Sequence, residues 1–316
     1  FMIPTLIESI TGYPRVTKAM TDMMRHNQSV MQHDEIKGAF IFQPLFKDFL
    51  RERAHQTLGH YELIEFQQQA ADALALLDYF EPAADLYCGL QNWHALAKLA
   101  EAHATELVNT GRHKTLRGWL EAIPEPTLTT SPWLQYWLGV STQPLNLHIS
   151  RKYLIQAYEQ FKKEDQLEGL LNAWLGVVES YILEWGNFKP LDRWIDEMET
   201  LLQLNPTFPS AALELRVTAG LFAALMYRRP EHPRLRIAEQ KLYDAVIHVK
   251  QNPQLAKLGY QLFFYYTVWL GDLPKASPPA STISLASARL MGLSFKRAIP
   301  YNLAARPEPS PVSPWQ

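Results

Sequence analysis

A chain of 316 residues, with 47% hydrophobic and 20% charged residues, has the composition of a packed globular protein and the length for one large domain or two to three small ones. Its formal net charge of −2 excludes an overall basic surface of the kind that nucleic-acid-binding domains carry. Cys88 is the single cysteine of the sequence, so no intrachain disulfide can form.

No stretch of the sequence has the uninterrupted apolar length that a membrane span needs. The sequence begins with Phe1, and the residues that follow lack the basic head and the cleavage site of a signal peptide. We therefore expect a cytoplasmic protein without a membrane partner. Because position 1 is not an initiator Met, we also expect the chain to be a piece of a longer protein.

The first 56 residues are predicted to form a helix, a β-hairpin and a second helix. Pro14 opens a helix that extends to about Arg25. Two short extended runs, around Gln32 and Phe42, lie on either side of a charged turn and predict a weak hairpin. Pro44 begins the next helix, whose apolar residues are Leu45, Phe46, Phe49 and Leu50. This order is typical of a winged-helix segment that is truncated and lacks its leading helix.

Residues 57–272 are predicted to be helix after helix. Apolar residues at helical spacing predict helices at about 61–77, 80–90, 93–109, 113–122, 166–185, 191–202, 210–227, 234–249 and 254–270. Gly111 is expected to end one of them, and Ser131 to cap the helix that starts at Pro132. Short linkers make neighbouring helices antiparallel. Pairs at intervals of roughly 40 residues indicate an all-α, right-handed, TPR-like helical-repeat superhelix with a concave binding face.

Residues 273–316 are predicted to be a Pro/Ser-rich tail that is largely disordered. Pro274, Pro278 and Pro279 follow directly after the last strong helix, and proline at this density does not sustain helices. At most one short helix, near 281–291, is expected. The apolar face formed by Leu258, Leu262 and Tyr266 should then have no cover from the next segment of the chain, and the array should be truncated near residue 272.

The sequence holds no recognisable catalytic constellation. The segment 111–115 is the nearest approach to a phosphate loop, but it lacks the earlier glycine and the Gly-Lys step. No His-Glu-x-x-His, cysteine pair or Gly-x-Ser-x-Gly is present. Cys88 lies among apolar residues and is interpreted as a small buried hydrophobe. We therefore expect no enzymatic activity, no metal site and no cofactor in this chain.

Aromatic residues crowd the first helices of successive pairs, and two interpretations of them stay open. They pack between repeats, as we expect for Trp174, or they line the concave face beside charged residues, where they would suit a sugar-like or mixed ligand. On the second interpretation the candidate ligand-binding residues are Tyr136, Trp137, Tyr181, Glu184 and Arg216.

Four short motifs occur in a fixed order along the chain. Residues 43–50 read QPLFKDFL, residues 91–93 read QNW, residues 119–124 read WLEAIP and residues 132–134 read PWL. In this order and spacing they resemble the MalT-like branch of the large LuxR-type regulators, within the signal-transduction ATPases with numerous domains (STAND). The resemblance covers about residues 1–272, that is, the winged-helix segment and the TPR-like helical repeats of that family.

The resemblance implies an inducer-responsive transcription regulator. In such proteins the helical repeats sense an effector small molecule or a regulatory protein, ATP binding by an N-terminal domain drives oligomerisation, and a C-terminal helix-turn-helix binds promoters. The chain holds neither the phosphate loop nor the DNA-binding helices. ATP is therefore implied only for the missing N-terminal domain, and no direct nucleic-acid binding is expected from this piece. The alternative is a generic TPR-type protein–protein interaction scaffold with no attached ATPase.

Overall fold

A computed structural model describes residues 15–26, 31–34, 39–205, 207–248 and 253–282, together with the single positions 7, 8, 10 and 12. By its internal contacts the chain divides into two compact units, residues 1–180 and 181–316, and the division falls within one helix. Each unit is built of antiparallel helices joined by short connections. The all-α helical-repeat fold predicted from the sequence is confirmed. The predicted domain boundaries after residues 56 and 272 remain predictions.

In the described part of the first unit, the helical positions 7, 8 and 10 are followed by a helix, a hairpin and a further helix. Its elements are α1 (Val16–His26), β1 (Met31–Asp34), β2 (Ala39–Phe42), α2 (Pro44–Thr57), α3 (His60–Leu76), α4 (Phe80–Gly89), α5 (Trp93–Asn109), α6 (His113–Ala122), α7 (Glu125–Leu128), α8 (Pro132–Thr142), α9 (Leu147–Lys163) and most of α10 (Leu167–Glu184). The two strands pair antiparallel, with Met31 opposite Phe42 and Asp34 opposite Ala39. The predicted order of elements at this end is therefore observed, and its interpretation as a winged-helix segment remains a prediction.

The second unit contains the last turn of α10 and the helices that follow it. These are α11 (Leu191–Leu204), α12 (Ala211–Arg228), α13 (Pro233–His248), α14 (Pro253–Phe264), a π-helical segment (Tyr265–Leu270) that continues α14, and α15 (Leu273–Thr282). None of the helices within the described residues is long and apolar enough to cross a membrane.

The helix α9 was not predicted from the sequence. Its buried stripe is formed by Leu154, Ala157, Tyr158 and Phe161. Asn146 caps it, because its side-chain oxygen accepts a hydrogen bond from the Ile149 amide at 3.0 Å. A buried Arg151 interrupts the apolar pattern, and it donates to the hydroxyl and the carbonyl oxygen of Ser180 at 2.8 and 3.1 Å.

Glycines let the helices of the first unit approach closely around α9. A Cβ added at Gly139 on α8 would lie 2.7 Å from Leu154 Cγ and 3.2 Å from the Leu154 amide nitrogen. On the other flank, a Cβ at Gly176 on α10 would lie 3.0 Å from Leu154 Cδ2. The side chain of Leu154 is fully buried. One leucine thus fills the space that two glycines leave on neighbouring helices, and no larger side chain fits at either position without displacement.

We expect Gly139→Ala to lower the free energy of unfolding of the first unit by about 1–3 kcal/mol, because the new methyl group overlaps a buried side chain and its backbone. Gly118→Ala is the matched control, since Gly118 is also in a helix but has no atom within 4 Å of an added Cβ. The control should raise stability by about 0.5–1 kcal/mol through helix propensity. Urea denaturation followed by circular dichroism measures both. Equal effects of the two substitutions would contradict this account of the packing.

The two predicted helix caps have different outcomes. Gly111 follows α5 with a left-handed φ of 75°, as expected for a glycine after a helix. Ser131 does not cap α8 with its side chain. Its hydroxyl instead donates to Glu101 Oε1 on α5 at 2.6 Å. The prediction for Ser131 is wrong because a partner distant in sequence takes the hydroxyl.

The prediction that no helix directly follows residue 272 is wrong. Residues Leu273–Thr282 form α15, which packs against α14 and the π-helical segment. Leu262 and Tyr266 are 0% and 2% exposed, so the face expected to be uncovered is covered at these positions. The Leu258 side chain, and the helix expected near 281–291 beyond Thr282, lie outside the described residues.

Local chemistry explains how α15 starts despite its prolines. Asp272 accepts a hydrogen bond from the Lys275 amide at 3.1 Å, which is a typical N-terminal cap. Pro274 lies in the first turn, where no helical donor is lost. Ala276 faces the neighbouring helices and is 2% exposed. The packing of this face, together with the cap, outweighs the unfavourable propensity of the later prolines.

Ala276→Asp should detach α15 from the second unit, because it places a charge in a buried apolar site, at a cost of more than about 2 kcal/mol. Ser277→Asp is the control, as Ser277 is the exposed neighbour on the same helix. Thermal unfolding of both variants checks this. A similar midpoint for the two would mean that α15 contributes no burial.

Candidate functional site

Two of the sequence-predicted site residues lie in the first unit. Tyr136 and Trp137 are adjacent on α8, with ring centroids 4.8 Å apart, and Trp133 is 5.6 Å from Tyr136. Tyr136 is 6% exposed, so its ring mainly packs among its neighbours. Trp137 is half-buried and lies against the core of helices α3 to α8. Their role as ligand-binding residues remains a prediction.

The other three predicted residues lie in the second unit. Tyr181 and Glu184 are half-buried in the last turn of α10, and Arg216 is exposed on α12. Arg216 precedes the end of its helix by about three turns, roughly 18 Å along the axis. The structure therefore brings Tyr181 and Glu184 together on one helical turn, whereas Arg216 lies further back along a different helix.

A row of aromatic rings lies at the ends of the first helices of the second unit. Trp185 follows α10, Tyr227 is near the end of α12, and Trp269 is near the end of the π-helical segment. The ring centroids of Trp185 and Tyr227 are 5.7 Å apart, and those of Tyr227 and Trp269 are 5.9 Å apart, with both pairs edge-to-face. We name these three rings, with Phe188 and Phe264 beside them, the aromatic ladder.

The other two rings of the ladder, Phe188 and Phe264, contact Tyr227 and Trp185. Phe188 stacks on Tyr227 at 4.2 Å with an interplanar angle of 13°. Phe264 meets Trp185 edge-to-face at 5.7 Å. Burial, followed by the nearby Tyr260, raises the pKa of Tyr227 to about 12, so its hydroxyl is neutral at physiological pH. The ladder therefore presents ring faces and edges without a charge of its own.

The ladder is partly open to solvent. Trp185 is 61% exposed and Trp269 is 45% exposed. Leu183, Val268 and Leu270, which are close to the two tryptophans in sequence, are exposed as well. Exposed aromatic rings in contact with one another make this edge a candidate interaction site.

Trp185 has a backbone conformation that a bulky residue rarely adopts. Its φ is 51°, in the left-handed region. For a non-glycine residue this conformation is about 1–2 kcal/mol higher in free energy than the right-handed one. Other helices of the chain also end at a left-handed residue, and these residues are Gly111, Gly271, Asp78, Gln91 and Asp165, none of them as bulky as tryptophan. A tryptophan that is both strained and exposed is a reason to look for function at that residue.

Ion pairs hold the second helix α11 against the end of α12, next to Tyr227. Arg228, the residue after Tyr227, donates from Nε and Nη2 to the two carboxylate oxygens of Asp192 at 3.0 and 2.6 Å. Arg229 donates to Asp196 at 2.7 Å. The Arg228 hydrogen bond, with the charges of Arg228, Arg229 and Lys189, lowers the pKa of Asp192 against the opposing effect of desolvation. The pairs fix the end of α12 to the start of α11.

Asp192 should make the stability of the second unit depend on pH in the acid range. Its folded pKa is below the ordinary value of 3.8. Its contribution to the free energy of unfolding is therefore fully present above pH 3.8 and is lost as the pH falls through the folded pKa. Because Asp192 and Arg228 are each about one-third exposed, we expect this contribution to be only about 0.5–1 kcal/mol. Asp192→Asn should show a smaller loss of stability than wild type between about pH 5 and pH 3.

The exposed Asp85 of α4 supplies the control for this pH dependence. Asp85→Asn removes an exposed carboxylate and so measures the effect of the loss of one negative charge alone. Chemical denaturation at each pH measures the three proteins. If Asp192→Asn follows the same curve as Asp85→Asn, the ion pair with Arg228 does not contribute to stability.

Reasoning from the sequence missed most of the ladder, although it noticed Trp185 among the crowded aromatics. The signal that would have found it is an interval of 42 residues, at positions 185, 227 and 269, with each aromatic at the end of a first helix. Within the described part of the chain, no group of three or more His, Cys, Asp or Glu side chains is arranged to hold a metal ion.

Comparisons with known proteins point to transcription regulators. The chain is 29% identical over 143 residues to the HTH-type transcriptional regulator MalT of Yersinia pestis (strain Pestoides F), and equally to that of Yersinia pseudotuberculosis (serotype O:1b, strain IP 31758). The match covers 44% of this chain and 16% of each relative, so the chain corresponds to a small part of those proteins. No protein-family model matches the chain.

Among solved structures, the chain is similar to two structures of the quorum sensor NprR. One is the complex of NprR with its cognate peptide NprX, with a TM-score of 0.46, 12% identity, and coverage of 75% of this chain and 70% of that chain. The other is the apo form of the quorum sensor NprR from B. thuringiensis, with a TM-score of 0.46, 12% identity, and coverage of 90% and 77%.

Proposed function

We propose that this chain is the sensor and interaction region of a bacterial signal-responsive transcription regulator, and that the aromatic ladder receives its effector. The observation that carries the proposal is the exposed, strained Trp185 in edge-to-face contact with Tyr227. The similarity to MalT over 143 residues supports the regulatory context. On this proposal ATP binding and DNA binding belong to other parts of a longer cytoplasmic protein, and the chain itself has no catalytic activity and no cofactor.

On this proposal, two of the site residues predicted from the sequence belong to the effector site. Tyr181 and Glu184 lie within the turn of α10 that precedes Trp185. Their side chains would add a hydroxyl and a carboxylate beside flat apolar rings. Aromatic faces next to a few polar groups suit the apolar faces of neutral sugars or the side chains of a short peptide. We therefore propose an uncharged ligand with at least one flat apolar face.

A second candidate function is docking of a protein partner, as in a generic TPR-type scaffold. The observation in its favour is the number of exposed apolar side chains near the two tryptophans in sequence, namely Leu183, Val268 and Leu270. A small ligand would leave these side chains in water, whereas a partner helix or strand would cover them. The two functions differ in the size of the ligand and in the residues that matter for binding.

The test uses the full chain labelled with fluorotryptophan and a panel of neutral oligosaccharides and short apolar peptides. A binder should shift the fluorine resonances of Trp185 and Trp269. Trp185→Gly should weaken its binding at least about tenfold, which corresponds to about 1.4 kcal/mol. The same variant should change the free energy of unfolding by less than about 1 kcal/mol, because the loss of ring contacts is offset by relief of the left-handed strain.

Trp133→Phe, in the first unit, is the matched control and should leave binding unchanged. If a panel member binds with equal affinity to wild type and Trp185→Gly, the ladder is not the effector site. If Leu183→Ser and Val268→Ser abolish binding of a protein partner while no panel member binds, the scaffold function is favoured. In a longer protein that includes this chain, Trp185→Gly should also abolish induction of a reporter gene by the effector.

A further inference from the structure

The carboxylate of Glu239 on α13 is buried and is bonded to the π-helical segment. Its side chain is 8% exposed. Tyr266 donates its hydroxyl hydrogen to Glu239 Oε1 at 3.0 Å, and Arg236 donates to Glu239 Oε2 at 2.9 Å. A buried carboxylate is costly unless its oxygens are hydrogen-bonded, and here each oxygen has a partner. The removal of either partner would leave part of the charge unsatisfied.

Tyr266 is fixed at both of its ends. Besides its hydroxyl bond to Glu239, its main-chain oxygen accepts from the amide nitrogens of Gly271 and Asp272, the latter at 2.8 Å. Lys275 on α15 lies over its ring, with Nζ 5.8 Å from the centroid. Tyr266 is 2% exposed. Together with Tyr265, which is 4% exposed, it anchors the π-helical segment to the body of the second unit.

Trp269 belongs to the same segment but has much less burial. It is 45% exposed, and its flanking residues Val268 and Leu270 are 63% and 42% exposed. Its ring meets Tyr227 at 5.9 Å. Because these three residues are partly exposed, they contribute less to fixing the segment than the buried Tyr265 and Tyr266 do. A change from π-helical to α-helical bonding would move residue 269 by one position, about 100° around the helix axis, and would take its ring away from Tyr227.

We infer that Glu239 is a positioning residue for the aromatic ladder: through the Tyr266 hydroxyl it holds the π-helical segment in the form that places Trp269 against Tyr227. This inference rests on the proposed function in one respect, since it takes the ladder to be the binding surface. The position of Trp269 can nevertheless be measured without any ligand. The inference and the proposed function therefore fail in different experiments.

The test is fluorine NMR of the full chain labelled with fluorotryptophan, with the nine tryptophans assigned from single Trp→Phe variants. Tyr266→Phe removes one oxygen atom, and Glu239→Ala removes the carboxylate. In both variants the Trp269 resonance should shift by more than one linewidth, while the Trp185 resonance, at the far end of the ladder, should stay in place. Glu239→Gln keeps an oxygen that accepts from Tyr266, so it should restore most of the wild-type position of Trp269.

Two controls separate positioning from general stability. Glu214→Ala removes an ion pair with Lys241 between α12 and α13, and Tyr243→Phe removes a hydroxyl near the Tyr266 ring. Neither should move the Trp269 resonance. A double-mutant cycle of Glu239→Ala with Tyr227→Ala, read at Trp269, should be non-additive, because both substitutions act on the same ring contact.

The outcomes are distinct. If the Trp269 resonance stays in place in both Tyr266→Phe and Glu239→Ala, the inference is overturned, whatever the ligand panel shows. If Trp185 and Trp269 move together with a loss of helical circular dichroism, the role of Glu239 is structural only, and the inference is again overturned. If Trp269 alone moves but a ladder ligand binds the variants as tightly as wild type, the inference holds and the proposed role of Trp269 in binding fails.

Discussion

The short connections between helices are the constraint on which the arrangement of the second unit depends. A connection of a few residues does not let the chain run back along a helix, so successive helices are antiparallel. The last turn of α10, the end of α12 and the end of the π-helical segment consequently lie at one edge. Trp185, Tyr227 and Trp269 are the residues that the chain places there, and their contact follows from the pairing of the helices.

The second helices of the pairs contribute support to this edge. Asp192 on α11 binds Arg228, the neighbour of Tyr227, and Glu239 on α13 binds Tyr266 in the segment that carries Trp269. Exposed rings bury little surface, so their position depends on bonds made by residues next to them in the chain. The charged hydrogen bonds at this edge are stronger than neutral ones and have a defined direction. They suit the task of holding a partly exposed surface in one arrangement.

The sequence predicted the fold well where a single helix carried a clear apolar stripe. The bounds of α5 and α6 match the prediction, and Trp174 is fully buried as expected from its stripe. Prediction failed where a partner distant in sequence decides the outcome. The apolar pattern of α9 is broken by Arg151, whose hydrogen-bond partner Ser180 is on another helix. The helix α15 forms despite its prolines because Ala276 packs on a neighbouring helix, which local propensity does not include.

The candidate site was only partly predictable, for a similar reason. The sequence indicates which residues lie on the first helices, but the phase of each helix decides which side chains reach the surface. Tyr136 is on a first helix and is nevertheless buried, whereas Tyr227 was not selected and is part of the ladder. Contact between rings 42 residues apart in sequence depends on how consecutive helix pairs pack, and a periodicity within one helix holds no information about that packing.

The energetics of Trp185 connect the fold to the proposed function. The left-handed conformation of a tryptophan loses about 1–2 kcal/mol. Its edge-to-face contacts with Phe188, Tyr227 and Phe264 contribute about 0.5 kcal/mol each, the low end of the usual range because the tryptophan is 61% exposed, so together about 1.5 kcal/mol. The two effects are of similar size, so the rings maintain the strained position without much surplus stability. Most of the ring surface of Trp185 remains in water, and the free energy of burying it is available to whatever ligand covers the ladder.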